Sequence, residues 1–199
     1  MSSRQGNVVT YESFRGEVVE YARQETAKRH PDWPQGKVDH TAWCLAMGGI
    51  KYGMLKQDSE KIIIFDLEKS MSFDGDTGPY IQYAATRLRS ILKKANWTAQ
   101  AGAQAGDRTK LTEKAEKKLA LQLAVYPDIC AAAVRELKPA YLAQWCFAAA
   151  QAANEFYRDV PVLEAPAGIK EARLQLVAAA SSVLMLGLNL LGIPVPDEM

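Results

Sequence analysis

The stretch "SMSFDGDTGPYIQYAATRLRSILKKA", residues 70–95, changes character at its midpoint. An acidic, glycine-rich turn leads directly into a segment with the apolar spacing of a helix. Pro79 suits the first turn of a helix, because its missing N–H needs no partner there. The Asp and Thr side chains of residues 74–77 can cap the exposed N–H groups that follow. The sequence therefore predicts a helix over 79–95.

This helix carries two separate stripes when its residues are placed at about 100° per position. One side is apolar and is predicted to face a core: Ile81, Ala85, Leu88, Leu92 and Ala95. The neighbouring side holds Tyr80, Tyr83, Arg87 and Lys94, with Ile91 at the border. Two interpretations of the second stripe stay open. Its tyrosines lie at a core boundary with wet hydroxyls, or they stack on bases while Arg87 contacts phosphates or base edges, as in readers of single-stranded RNA.

Most of the remaining chain has helical period and propensity, being rich in Ala, Leu, Gln, Lys and Glu. We predict an all-α fold, a helical bundle with minor short strands near the amino terminus. The predicted helices span 12–29, 39–49, 79–95, 110–126, 128–136, 139–157 and 168–191. The strand candidates are "KIIIFDLE" (61–68) and, more weakly, "GNVVTY" (6–11).

The segment 96–110, "NWTAQAGAQAGDRTK", is rich in Ala, Gly and Gln without apolar periodicity, which predicts a flexible loop. The chain is predicted to divide into residues 1–70 and an α-helical domain of residues 71–199. Within the second part, residues 174–191 are apolar but interrupted by polar side chains, and they are predicted to form a buried helix rather than a membrane span.

Bulk composition is that of a globular protein, with 48% hydrophobic and 24% charged residues and a formal net charge of +1. Such a charge excludes a protein that coats nucleic acid by bulk attraction, so any RNA contact must come from a local patch. The three cysteines are odd in number and widely spaced, which is typical of reduced thiols in the cytoplasm. The amino terminus has no apolar signal-peptide region.

The sequence contains no motif typical of a self-contained catalytic site. His30 and His40 are ten residues apart and show no convergent set of ligands, so no metal site is predicted. The cysteines form no CxxC pair, and the glycines never form a phosphate-binding loop. We predict neither a metal nor a cofactor in this chain.

Several of these segments resemble class I arginyl-tRNA synthetases. "FDGDTGPYIQYAATRLRSILKKA" is similar to the junction where the catalytic half of that family meets its anticodon-binding helices. "MSSRQGNVVTYESF" is similar to the region of the KMSKS-type loop. "LTEKAEKKLALQLAVYPDI", "NEFYRDVPVL" and "ARLQLVAAASSVLMLGLNLLGIPVPDEM" resemble the DALR-type anticodon-binding domain of the same family. The resemblance covers essentially the whole chain and is loose through 96–110.

The resemblance implies a set of site residues. In the family, the tyrosines of the GPYxQY helix and the arginine four residues later lie against the anticodon loop. Those positions are Tyr80, Tyr83 and Arg87 here. A tyrosine of the NxFY segment, here Tyr157, and the last methionine, here Met199, are implied to lie at the same site. The periodicity of the helix separates the first three from the core stripe on independent grounds.

The chain also departs from the family pattern. Of the KMSKS-type signature it keeps only Met1, Ser2, Ser3 and Arg4; the first lysine is absent and Ser3 stands at the second, with Arg4 as a plausible substitute. The nucleotide-binding half with its HIGH-type motif is missing, so no catalytic residue is predicted. ATP and Mg²⁺ are expected only for the full-length enzyme, and the chain alone is expected to be inactive. It is either the carboxy-terminal part of a synthetase or a stand-alone paralogue.

The function predicted from this resemblance is binding of the anticodon stem-loop of arginine tRNA, in support of ATP-dependent ligation of arginine. We expect a cytoplasmic monomer that binds neither DNA nor membrane. One alternative is a helical protein-interaction module that has lost tRNA binding. Another is a subunit that assembles with a separate catalytic domain.

Overall fold

The computed structural model describes residues 9–98 and 107–199, and within these ranges the chain forms α-helices and no β-strand. The predicted all-α class is confirmed. The helices are α1 (Tyr11–Arg29), α2 (Gln35–Leu55), α3 (Leu67–Ser70), α4 (Gly78–Lys94), α5 (Lys114–Ala124), α6 (Tyr126–Glu136), α7 (Pro139–Asp159) and α8 (Ile169–Leu190). A short 3₁₀ turn, Arg108–Lys110, precedes α5.

Helix starts follow local capping chemistry. The Thr10 hydroxyl accepts a hydrogen bond from the Ser13 N–H at 3.2 Å and caps the start of α1. Helix α5 begins at Lys114, four residues after the predicted start at 110, and Glu113 takes its cap position. The Glu116 carboxylate accepts from the Glu113 N–H at 2.8 Å, which satisfies a backbone donor that the helix itself cannot.

The strand predicted over 61–68 is wrong. Residues 62–66 have no regular secondary structure, although Asp66 itself is extended, and the chain enters α3 at Leu67. Ile62 and Ile64 are 92% and 88% exposed. Phe65 points inward and packs edge-on against Phe14, with ring centroids 4.8 Å apart. A run of β-branched residues favours extended backbone, but a strand also requires a partner. Residues 9–10 of the second strand candidate, 6–11, are likewise not a strand, and residues 6–8 lie outside the described ranges.

Two other helix boundaries differ from prediction. Helix α2 extends over Gln35–Leu55, well past the predicted 39–49, because the glycines near its centre serve close packing and do not break it. The helix predicted over 110–126 is shorter, Lys114–Ala124, and Pro127 follows its end in the first turn of α6. The predicted loop over 96–110 falls largely outside the described residues, as does the sequence Met1–Arg4. The division of the chain near residue 70 stays a prediction.

The larger core lies among α4, α5, α7 and α8, with α7 in contact with each of the other three. Its fully buried side chains come from all four helices and include Ile81, Leu88, Leu119, Phe156 and Leu184. Helix α8 is long and apolar enough to cross a membrane by length and composition alone, since an 18-residue window within it has a mean hydropathy of 1.4. Half of that window is buried inside the bundle. Its apolar side chains supply this core.

A second, smaller core lies between α1 and α2 and includes Val18, Leu45, Ile50 and Met71. The two cores meet where α2 crosses α4. A Cβ added to Gly78 would lie 2.1 Å from the Gly48 carbonyl oxygen, and one added to Gly48 would lie 2.2 Å from Oε1 of Gln82. Only glycine permits this approach of the two backbones.

One buried ion pair ties α5 to α8. The Arg173 guanidinium donates to the Glu116 carboxylate at 2.7 Å and to the Pro161 carbonyl at 2.8 Å. The two side chains are 10% and 0% exposed. Such a pair fixes the relative position of two helices more than it adds net stability, since both charges lose their hydration.

We predict that Gly78→Ala lowers the free energy of unfolding by about 1–3 kcal/mol, because its methyl group would overlap the Gly48 carbonyl. Chemical denaturation followed by circular dichroism measures the change. Gly16→Ala is the matched control. No atom lies within 4 Å of a Cβ at Gly16, inside α1, and this variant should gain roughly 0.5–1 kcal/mol. Equal effects of the two substitutions would contradict the close helix crossing.

Candidate functional site

The start of α4 is fixed by interactions on both sides of the acidic turn. The Thr77 hydroxyl accepts from the Tyr80 N–H at 3.2 Å and caps the helix, as predicted, and it donates to the Ser72 carbonyl at 2.6 Å. Asp76 turns the other way: it accepts from the Tyr52 hydroxyl at 2.5 Å and from the Lys56 ammonium at 3.1 Å. The turn is thereby anchored to α2, which sets the rotation of α4 about its axis.

That rotation buries the predicted core stripe. Ile81, Ala85 and Leu88 are essentially inaccessible, and Leu92 and Ala95 pack against the same core. Ile91, expected at the border, is also buried. The side of α4 that remains partly exposed lies next to the end of α7.

An aromatic and cationic cluster forms where α4 meets α7. The Arg87 guanidinium carbon lies 4.4 Å from the centroid of the Tyr83 ring and 4.6 Å from that of Tyr157. Its Nη1 donates to the Asn154 amide oxygen at 2.8 Å. Phe73, from the acidic turn, meets Tyr83 edge-on at 6.2 Å. Arg87 therefore joins two tyrosines from different helices, and its hydrogen-bond partner is neutral.

The cluster lies in an open groove of about 1300 Å³. The groove runs from α2 across α4 to the segment that follows α7. Its basic lining side chains are Lys37, His40, Arg87, Arg89, Lys93, Lys94 and Arg158, and its acidic ones are Glu164, Asp197 and Glu198. Most of its basic residues come from α4, on the turns that follow the tyrosines.

The last residues of the chain form one wall of the groove. The Gln82 amide, fully buried, donates to the Cys44 carbonyl at 2.8 Å and to the Pro194 carbonyl at 2.6 Å. The Thr86 hydroxyl lies 3.2 Å from the Pro196 carbonyl and 3.4 Å from the Met199 sulfur. Residues 194–199 are thus held along α4 by side chains of α4 itself.

The structure brings together four of the five residues implied by the family resemblance. Tyr83, Arg87, Tyr157 and Met199 all line the groove. Tyr80 does not join them: it is half-buried, its ring lies 5.5 Å from that of Phe147, and it packs against the larger core. Helical periodicity alone placed Tyr80 on the same side, but a helix beside it takes that surface.

Sequence reasoning missed two residues of the cluster, Asn154 and Phe73, and two residues that line the groove, Lys37 and His40. Asn154 lies three positions before Tyr157 on α7, so helical spacing could have paired them. Phe73 could have been suspected from its place in the acidic turn. Lys37 and His40 carry no such signal, because they come from α2 and reach the groove only through the crossing with α4.

The described residues show neither a cluster of metal ligands nor an activated thiol at Cys44 or Cys146. No group of three or more His, Cys, Asp or Glu side chains able to hold a metal ion occurs in residues 9–98 and 107–199. Burial raises the pKa of the Cys44 thiol to about 11 and that of the Cys146 thiol to about 12. Both are therefore protonated and unreactive at neutral pH. The groove offers flat aromatic surface, a guanidinium and exposed ammonium groups, which suit the bases and phosphates of an unpaired RNA loop.

Comparison with known proteins identifies the family to which this chain is similar. A family model described as the DALR anticodon binding domain matches residues 81–199. Over its whole length the chain is 36% identical to the arginine–tRNA ligase of Thermococcus kodakarensis and 37% identical to that of Thermus thermophilus. It spans about a third of the length of each relative, 32% and 33%.

Solved structures agree on the fold. The structure of the Thermus thermophilus arginyl-tRNA synthetase superposes with a TM-score of 0.88 at 35% identity, over 100% of this chain and 33% of that one. The Plasmodium falciparum arginyl-tRNA synthetase superposes with a TM-score of 0.84 over 96% of this chain and 34% of that one; at 24% identity it supports the fold alone. The chain belongs to the DALR anticodon-binding domain family and matches the part of arginyl-tRNA synthetases that carries this domain.

Proposed function

We propose that the groove binds the anticodon stem-loop of an arginine tRNA, as the RNA-reading part of a protein that ligates arginine to that tRNA. The observation that carries the proposal is the position of Arg87 between Tyr83 and Tyr157. Two aromatic rings from different helices are held beside one cation, at the mouth of a groove with further lysines and arginines. This arrangement suits a strand whose bases are unstacked and whose phosphates run alongside.

The tyrosines supply the base contacts in this proposal. Tyr83 and Tyr157 are 36% and 48% exposed, although both belong to well-packed helices. A base stacked on such a ring contributes about 1–3 kcal/mol. The exposed ammonium groups of Lys93 and Lys94 contact phosphates, which position the RNA without reading its sequence. Met199, held beside Thr86, adds an apolar surface next to the rings.

Tyr80 takes a supporting role in the proposal. Its ring against Phe147 helps to fix α4 on α7, and through that contact it maintains the spacing between Tyr83 and Tyr157. It is proposed to influence RNA binding through this packing, without touching the RNA.

The ligation reaction needs parts beyond the described groove. The chain spans a third of the length of its relatives, and the resemblance places ATP, Mg²⁺ and arginine in a nucleotide-binding half that this sequence does not contain. We propose that the chain acts as a cytoplasmic monomer in this role, or together with a separate catalytic domain, and is inactive in ligation by itself.

The RNA-binding proposal predicts separate effects on binding and stability. Tyr83→Ala and Arg87→Ala should each weaken binding of a synthetic arginine-tRNA anticodon stem-loop about 5- to 150-fold, the loss expected for one stacked base. Fluorescence anisotropy at low, fixed salt measures this change. Thermal unfolding should be nearly unaffected, because both side chains lie at the surface of the groove.

Two controls define the outcome. Tyr11→Ala removes a tyrosine that is 53% exposed on α1 and outside the groove, and it should leave binding unchanged. Phe156→Ala, next to Tyr157 but 0% exposed, should cost about 3–5 kcal/mol of stability. If Tyr83→Ala and Arg87→Ala unfold the protein as Phe156→Ala does, the cluster is core. If the unaltered chain fails to bind the stem-loop, the interaction-module alternative is favoured.

A further prediction concerns catalysis. The purified chain should show no arginine-dependent exchange between ATP and pyrophosphate above a protein-free blank, because it lacks the nucleotide-binding half. An intact arginyl-tRNA synthetase assayed in parallel provides the positive control. Measurable exchange by the chain alone would refute this expectation.

A further inference from the structure

The end of the chain places two carboxylates among the cations of the groove. The Asp197 carboxylate accepts a hydrogen bond from the Arg89 guanidinium. Glu198 accepts one from the Lys37 ammonium and lies 3.7 Å from that of Lys93. All five side chains line the groove. The tail, defined here as residues 194–199, therefore neutralises cations on both sides of α4.

These carboxylates occupy the kind of position that an RNA phosphate would take. A phosphate and a carboxylate are both anionic oxygen ligands for the guanidinium of Arg89 and the ammonium groups of Lys37 and Lys93. An RNA that uses these three cations must first displace the tail carboxylates. The Lys37 hydrogen bond lowers the pKa of Glu198, so this carboxylate stays charged at neutral pH and competes fully.

The tail stays in place without its carboxylates. The Pro194 carbonyl accepts from buried Gln82, and the Pro196 carbonyl accepts from Thr86. Pro196 is itself buried. By contrast, the Asp197 side chain is 87% exposed and that of Glu198 is 51% exposed. The backbone thus fixes the tail, and its two acidic side chains are free to exchange partners.

We propose that Asp197 and Glu198 form an autoinhibitory contact in which the tail competes with RNA phosphates for Arg89, Lys37 and Lys93. The proposal rests on the RNA-binding function of the groove proposed above. Because every polyanion must displace the same carboxylates, the contact does not change the ranking of RNAs. It weakens all of them, so that charge alone is insufficient and only a ligand that also stacks on Tyr83 and Tyr157 remains bound.

The test compares the full chain with the double variant Asp197→Asn, Glu198→Gln. The probes are heparin, the arginine-tRNA anticodon stem-loop and a stem-loop with an unrelated loop sequence. The variant should bind all three about three- to tenfold more tightly at low salt, as expected when exposed ion pairs no longer have to be broken. The gain should shrink as salt is raised.

The matched control is Glu17→Gln, Glu60→Gln, which makes the same change in net charge at two exposed positions outside the groove. It reports the long-range effect of charge alone and should change affinity by much less. If the tail variant binds heparin and RNA no more tightly than this control, or more weakly than the unaltered chain, the autoinhibitory contact is refuted.

The same experiment separates this inference from the proposed function. If the unaltered chain does not prefer the arginine stem-loop to the unrelated one, the anticodon-binding function fails. The comparison of tail variant and control on heparin still decides whether the carboxylates compete for the groove's cations.

Discussion

The buried amide of Gln82 is the contact on which the rest of the architecture depends. Its two N–H groups reach the Cys44 carbonyl of α2 and the Pro194 carbonyl of the tail. One fully buried side chain of α4 thus specifies both of its neighbours. This is possible only because Gly48 and Gly78 let α2 and α4 approach closely. Removing the amide would leave two segments without the partner that sets their position, and buried polar groups are costly when unpaired.

This crossing brings together parts of the groove that are far apart in sequence. Lys37 and His40 reach the groove because α2 is held against α4, and Met199 reaches it because the tail is held along α4. The remaining wall comes from the end of α7, which the larger core fixes through fully buried Phe156. The side chains that line the groove therefore surround one helix, α4, and the position of that helix is determined by contacts on its buried side.

Helical periodicity predicted the two stripes of α4, and the polar side chains before the helix predicted its capped start at Thr77. Both features depend on residues close together in sequence. Periodicity could not decide the position of Tyr80, since the choice between core boundary and groove depends on Phe147 of another helix. The β-branched run at 61–68 favoured a strand, but composition cannot show whether a second strand lies beside it. Two of the groove residues, Tyr157 and Met199, were predicted by the family resemblance alone. The sequence pattern of α4 gives no sign that they lie near Arg87.

Two arginines that lie two positions apart on α4 show how the groove separates its charges. Arg87 is paired with a neutral amide, Asn154, so its full positive charge remains between the two tyrosines. Arg89 is paired with the Asp197 carboxylate, so its charge is largely cancelled. In a protein of net charge +1, binding strength cannot come from overall attraction. The uncompensated cation instead lies where aromatic surface is available, so in the proposed RNA complex electrostatic attraction and base stacking would act at the same point of the groove.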